Sequence, residues 1–272
     1  MHVVEANGAR IPAIGLGTWE LRGRVCARIV EQALRLGYRH VDTAQIYENE
    51  REVGEGVRAS GVRRGEVFVT TKVWTTHFAP NALLRSAKES LARLRMTEVD
   101  LLLLHWPNPQ VPLEETLGAL AQAKQLGLAR HIGVSNFTLP LIQHQGAICT
   151  QPLVSDQVEY HPFLDQAKGR AGCAAHGMAL VAYSPVAKGR VKDVETLSRI
   201  GARYGKSAAQ VSLRWLVQQN AVAIPRTSRI ERLSENIDVF DFALTDEEMS
   251  EIFAMGTRAG RLTDIGFSPQ WD

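Results

Sequence analysis

The stretch VFVTTKVWTTHFAPNALLRSAKESLARLRMTEVDLLLL (residues 67–104) decides the fold class. Its ends, Val67–Val73 and Val99–Leu104, are short and almost uniformly apolar, as parallel strands buried on both faces are. Between them Leu83, Ala87, Leu91 and Leu94 recur at helical spacing and form one apolar face. Strand, amphipathic helix, strand implies parallel neighbours joined by a crossover helix.

The same alternation runs outward in both directions. Further β-rich runs at Ile14–Gly17, His40–Val41, His131–Val134, Val154–Val158, Leu180–Tyr183 and Ala221–Ile224 bring the strands to eight. Helices are expected at 50–59, 113–126, 139–147, 165–176, 194–204, 208–219, 229–237 and 246–255. An earlier helix places Val25, Ile29, Ala33 and Leu36 on one face. Near the N-terminus, Asn7-Gly8 between two short runs is a hairpin signal. No linker or low-complexity tract divides the chain. The expectation is an α/β protein of one domain, residues 1–272: a (β/α)8 TIM barrel with an N-terminal β-hairpin and a short C-terminal tail. Such barrels run to about 250 residues. An open doubly wound sheet is the alternative.

Bulk properties exclude several function classes. A net charge of +2, with acids and bases nearly balanced, gives no reason to expect a nucleic-acid or membrane partner. The N-terminal segment MHVVEANGARIP has neither an apolar signal core nor a basic amphipathic leader, and no run is long enough to span a bilayer. Cys26, Cys149 and Cys173 are far apart and show no metal spacing, so no metal site is expected. Reduced, mostly buried thiols and a cytoplasmic protein follow.

Polar residues gather at the strand ends. They are Thr18 and Trp19; Asp42; Lys72 and Trp74; His105 and Trp106; Ser135 and Asn136; Gln157 and Glu159; Tyr183 and Ser184; Arg226 and Thr227. In a barrel they converge on the face that carries active sites. Lys72 interrupts an otherwise uncharged strand and needs a carboxylate, which Asp42 can supply. Tyr47 follows Asp42 by five residues, and His105 follows Leu101–Leu104 directly. Each alone reads as an ion pair, a core histidine or a loop tyrosine. Together they suit proton transfer: an ammonium lowers a phenol's pKa, and a neutral histidine orients a carbonyl oxygen.

These segments resemble the aldo-keto reductase family. GYRHVDTAQIYENE (37–50), TTKVW (70–74), DLLLLHWP (100–107), GVSNF (133–137), DQVEYHP (156–162), AYSPV (182–186) and IPRTSRIERLSEN (224–236) match its segments in family order over nearly the whole chain. DTAQIY and the terminal SPQWD are similar to the bacterial 2,5-diketo-D-gluconate reductase group, including its methylglyoxal-reducing members. The resemblance implies an NADPH-dependent oxidoreductase that reduces small aldehydes and ketones, with Asp42, Tyr47, Lys72 and His105 as a catalytic tetrad.

There is no complete GxGxxG after Gly15-Leu16-Gly17, so a Rossmann site is not expected. The resemblance implies NADPH across the barrel mouth. Thr18 and Trp19 would border it, Ser135, Asn136 and Gln157 would hold the carboxamide, and Tyr183 would stack on the ring. The loop carrying Ser184, Pro185, Val186, Lys188 and Gly189 would cover the pyrophosphate. Arg226 and Arg232, with Thr227 and Ser228, would grip the 2′-phosphate; Glu235 and Asn236 would face adenine. Many members carry lysine at the position of Arg226. Ser135-Asn136 could equally cap a helix.

Trp19, Trp74 and Trp106, with His105, suggest a partly apolar substrate wall; His77 and Asn108 could add polar contacts. The short tail, 261–272, suggests an open pocket. A small-molecule carbonyl is the expected partner, and a monomer the expected state. The rival classes are a non-catalytic NADPH-binding regulatory protein and a Schiff-base aldolase acting through Lys72.

Overall fold

The computed structural model describes residues 2–272. Val3–Ala6 (β1) and Ala9–Pro12 (β2) pair antiparallel through Asn7 and Gly8, whose φ angles are +43° and +85°. Both central residues thus lie in the left-handed region, which a tight hairpin turn requires and Asn-Gly accepts.

Eight strands then form one sheet, each hydrogen-bonded in parallel to the next in sequence. They are β3 (Leu16–Gly17), β4 (His40–Asp42), β5 (Phe68–Val73), β6 (Val99–Leu104), β7 (Ala129–Ser135), β8 (Leu153–Glu159), β9 (Ala179–Tyr183) and β10 (Val222–Ala223). Every residue of β5, β6 and β8 is buried, as their apolar runs predict. The strand order is that expected of the barrel, but among the described residues no continuous ladder joins the first strand to the last. Two isolated parallel bridges, Ile14–Ala223 and Gly17–Arg226, link these edges. The Gly15 and Gly17 N–H groups donate across them to Ala223 and Pro225 carbonyls at 2.9 and 3.0 Å. Glycine at 17 permits this approach: a Cβ there would lie 2.8 Å from the Ile224 carbonyl oxygen.

Helices occupy the expected intervals within a residue or two: α1 (Gly23–Arg35), α2 (Glu50–Ala59), α3 (Pro80–Leu94), α4 (Leu113–Gln125), α5 (Leu139–Ile148), α6 (Ala167–Ala175), α7 (Glu195–Tyr204), α8 (Ala208–Gln218), α9 (Glu231–Ile237) and α10 (Asp246–Phe253). In α3 the predicted face is buried: Leu83, Ala87, Leu91 and Leu94. In α1 it is rotated. Cys26, Ile29, Val30, Ala33 and Leu34 are buried, whereas Val25 and Leu36 are 52% and 44% exposed. The i, i+3, i+4, i+7, i+8 stripe starting at Cys26 is the broader one, and it sets the packing face. Cys26 and Cys173 are buried and Cys149 half-buried, all as free thiols.

Asp156 on β8 is buried; its Oδ1 accepts the Phe137 N–H at 3.4 Å, and its Oδ2 has no partner among the described residues. Burial pushes its carboxyl well above the usual range, with the Asp272 charge adding to the rise. The folded chain therefore holds this proton more tightly than the unfolded chain. That contribution to stability is complete below the ordinary aspartate pKa of about 3.9 and is lost as pH rises towards the folded value. The stability of Asp156→Asn relative to the wild type is expected to increase between pH 4 and pH 8, as measured by urea unfolding. A pH-independent difference would mean that Asp156 titrates normally.

Candidate active site at the C-terminal ends of the strands

Strand parity explains how the buried charges meet. Asp42 pairs in register with Thr70, and Lys72 lies one pleat further along β5 on the same face. From there Lys72 Nζ reaches back to Asp42 Oδ1 at 2.5 Å and donates to the Thr43 carbonyl at 2.9 Å. Both side chains are buried. On the opposite strand β8, Gln157 Nε2 donates to Asp42 Oδ2 at 2.7 Å. Each carboxylate oxygen thus has a donor, the condition for keeping such a pair in the interior.

Tyr47 sits in a 3-10 turn, Gln45–Tyr47, just beyond β4. Its hydroxyl is 3.4 Å from Lys72 Nζ, and the ammonium lies 4.9 Å from its ring centroid. His105 follows β6 and hydrogen-bonds through its backbone N–H to Val73. Its ring stands edge-on to Tyr47 at 5.6 Å and to Trp74 at 5.2 Å between centroids. His105 Nδ1 is buried with no hydrogen-bond partner among the described residues. The four residues expected to form a tetrad are therefore together.

Their electrostatics differ in one respect from the sequence expectation. The net shift of the Tyr47 pKa is upward rather than downward. Burial, followed by the Asp42 charge, raises that phenol well above its ordinary value of 10. Burial lowers the Lys72 pKa, while Asp42 and Glu50 oppose the shift. His105 is pushed well below 6.5 by burial and then by the Lys72 charge, so its imidazole is neutral at neutral pH.

Tyr47, His105 and Asp42 line a cavity of about 680 Å³. Trp19, Trp74 and Trp106 line it too, together with Thr18, Ser135, Asn136, Gln157 and Tyr183. Lys72 lies beneath this surface. Ser184, Pro185, Val186, Lys188 and Gly189 form another wall, and Ser184, Lys188 and Gly189 have positive φ angles of 50°, 54° and 91°. Such strained backbone recurs in ligand-clamping loops. A second cavity of about 430 Å³ adjoins the first, sharing Val186, Gly189, Arg226 and Arg232, and also meets Glu235 and Asn236.

Several expected ligand-binding groups already have protein partners. Ser135 Oγ donates to the Gln157 carbonyl at 2.7 Å. Asn136 Nδ2 donates to the His105 carbonyl at 3.0 Å, and its Oδ1 accepts from Tyr183 Oη at 3.0 Å. Arg226 Nε donates to the Trp19 carbonyl at 3.0 Å, whereas the Arg232 guanidinium has no ion-pair partner among the described residues. Thr227 is buried and its Oγ1 accepts the Arg229 N–H at 3.0 Å, fixing the turn before α9. Neither Thr227 nor the exposed Ser228 lines either cavity. His77 and Asn108 also lie outside the lining; Asn108 Nδ2 instead holds the Thr75 carbonyl.

Glu20, Ile46, Thr263 and Ile265 line the cleft without having been singled out by sequence. Glu20 and Ile46 adjoin Trp19 and Tyr47, so proximity was a usable signal. The tail residues carried none. Moreover, the tail folds onto the mouth: Phe267 meets Trp74 and Trp106 edge-on at 5.8 and 5.9 Å, so its shortness does not leave this side of the pocket bare.

The family model Aldo/keto reductase family matches residues 13–256. This chain belongs to that family. It is 40% identical over 265 residues to methylglyoxal reductase DkgB of Salmonella typhimurium, covering 96% of this chain and 99% of that protein. Glyoxal reductase of Bacillus subtilis is 39% identical over 250 residues, covering 92% of this chain and 90% of that protein. A crystal structure provisionally named 2,5-diketo-D-gluconic acid reductase B superposes with a TM-score of 0.98 at 47% identity, covering 100% of this chain and 98% of that one. A Bombyx mori aldo-keto reductase in complex with NADP gives 0.90 at 35% identity, covering 97% and 95%. The chain is thus an oxidoreductase of the aldo-keto reductase type. Among the described residues, no helix is long and apolar enough to cross a membrane.

The buried pair yields a stability prediction. Lys72→Met leaves Asp42 buried without its cation and is expected to cost about 3–5 kcal/mol. Adding Asp42→Asn removes the stranded charge and should restore part of that loss in denaturant unfolding. Strictly additive losses would show that the pair is uncoupled.

Proposed function

We propose that the protein reduces small aldehydes and ketones, methylglyoxal among them, using NADPH, with Tyr47 as the general acid. The observation that carries this reading is the Tyr47 hydroxyl at the cleft, 3.4 Å from the Lys72 ammonium that Asp42 holds, with neutral His105 beside it. We further read the two bridges between the edge strands as the seam of a closed (β/α)8 barrel. The whole chain would be one domain acting as a cytoplasmic monomer.

The cleft suits a dinucleotide. Two cavities meet at Arg226 and Arg232, which place cations where a 2′-phosphate would be held. Ser135, Asn136 and Gln157 lie at the catalytic end with Tyr183, where a carboxamide and a flat ring would rest. Accepting a carboxamide would require exchange of some existing bonds among these side chains. NADPH when bound supplies the hydride.

The chain's own groups handle the oxygen. Tyr47 Oη and the His105 ring bracket the position of a carbonyl oxygen. As hydride reaches the carbonyl carbon, the C=O electron pair passes to oxygen, which takes the proton from Tyr47 Oη. Burial keeps that proton on the phenol until the oxygen becomes basic. The Lys72 ammonium then stabilises the phenolate, and Asp42 keeps Lys72 charged and aimed.

Tyr47→Phe is expected to lower kcat for methylglyoxal by at least about 10²-fold, the scale of a lost general acid, while NADPH binding measured by fluorescence persists. Equal loss of binding and turnover would assign Tyr47 a structural role. A wild-type protein that binds NADPH but reduces nothing across an aldehyde panel would instead be a non-catalytic binder. Arg226→Ala should weaken NADPH binding more than NADH binding; equal weakening would remove the 2′-phosphate assignment.

A further inference from the structure

A second buried carboxylate stands at the mouth of the cleft, outside the tetrad. Glu159, the last residue of β8, and His161 are both fully buried. His161 Nδ1 accepts the Phe163 N–H at 3.3 Å, which leaves the ring proton on Nε2 to donate to Glu159 Oε1 at 2.9 Å. The same oxygen accepts the Leu262 N–H at 2.6 Å, and Glu159 Oε2 accepts the Thr263 N–H at 2.8 Å. Burial alone would push this carboxyl up. The bonds from His161, Leu262 and Thr263 outweigh it and hold the pKa below the ordinary value, so Glu159 is charged.

Two of these three donors belong to the tail, which has no helix or strand after Gly260. The carboxylate therefore fixes where the tail crosses the barrel mouth. Immediately beyond the clamp, Thr263 and Ile265 line the catalytic cavity. Phe267 then packs edge-on against Trp74 and Trp106, and Trp74 packs against His105. A displacement at Leu262 and Thr263 is thus transmitted to an apolar wall close to the proposed reacting carbonyl.

We propose that Glu159, oriented by His161, is a positioning residue that sets substrate specificity. Its clamp on Leu262 and Thr263 places Ile265 in the cavity lining and Phe267 against the lining Trp74 and Trp106, which together form the wall against which the aldehyde's side group packs. Glu159 touches neither carbonyl nor cofactor. This assignment rests on the reductase reading above and adds the element that selects among aldehydes.

Glu159→Gln keeps the side chain's shape but removes the charge and turns one acceptor into a donor facing an N–H. Phe267→Ala removes the wall's edge contacts on Trp74 and Trp106 and leaves the clamp intact. Both should be assayed with methylglyoxal and with 4-nitrobenzaldehyde, whose ring needs the wall. The expected result is a KM for 4-nitrobenzaldehyde raised about 2- to 10-fold in both variants, the scale of lost aromatic edge contacts, with the KM for methylglyoxal raised less. Amide hydrogen exchange at Leu262 and Thr263 should quicken in Glu159→Gln only. Parallel loss of turnover on both aldehydes, or unaltered exchange in Glu159→Gln, would overturn the proposal. Should that variant fail to fold, Thr263→Pro deletes one clamping N–H without altering the buried carboxylate, and the same KM split decides. A wild type that reduces neither aldehyde removes the reductase reading and this proposal with it; an active wild type with unaltered variants removes the proposal alone.

Discussion

The buried ion pair between Lys72 and Asp42 is the constraint on which the site depends. An ammonium inside a parallel sheet is tolerable only with its charge and its donors satisfied. Here the solution recruits Asp42 from the adjacent strand, the Thr43 carbonyl beyond it, and Gln157 from across the sheet. Satisfying one cation thereby ties β4, β5 and β8 together at the end where the cleft opens. Tyr47 and His105 then sit beside a charge held by Asp42 and Thr43. A fixed charge in a water-poor site contributes without reorganising during reaction, which is how a protein environment can outperform water.

The same pair changes how the proton donor must work. Burial first, and then the Asp42 charge, raises the phenol's pKa. A donor that ionised easily would be partly deprotonated before any carbonyl arrived. A buried phenol keeps its proton, and the neighbouring ammonium matters most once negative charge has formed on the phenolate. Only an interaction that strengthens towards the transition state speeds the step. In the proposed reaction Lys72 would act mainly on the charge that develops on Tyr47 during proton transfer.

What was legible in the sequence divides along this line. Periodicity exposed β5, β6 and α3 because their side chains obey local spacing rules, and the polar residues interrupting those runs marked the site. The face of α1 was misread because Val25 and Leu36 also fit a helical spacing, and only the tertiary neighbours choose between two overlapping stripes. The direction of the Tyr47 shift was illegible since it depends on burial, which no motif states. The tail was harder still: nothing in RLTDIGFSPQWD announces that the Leu262 N–H meets Glu159, 103 residues earlier in the chain.

The two ends of the cleft follow different physical rules. At one end Arg226 and Lys188 are solvent-exposed and held by weak, replaceable contacts to the Trp19 segment. Exposed bonds of that kind contribute little, so exchanging them for charge-assisted bonds to a phosphate is favourable. At the other end the wall is aromatic, with Phe267 seated against two tryptophans and the tail backbone at Leu262 and Thr263 anchored by a buried carboxylate. Groups packed in this way cannot be exchanged for a ligand without loss of their own contacts, so they discriminate by shape. A loosely held charged end suits one invariant ligand that enters and leaves, while an apolar end suits selection among many small ones. On the proposed reading, that division would keep the acid chemistry fixed at Tyr47 while the side group of the carbonyl compound varies.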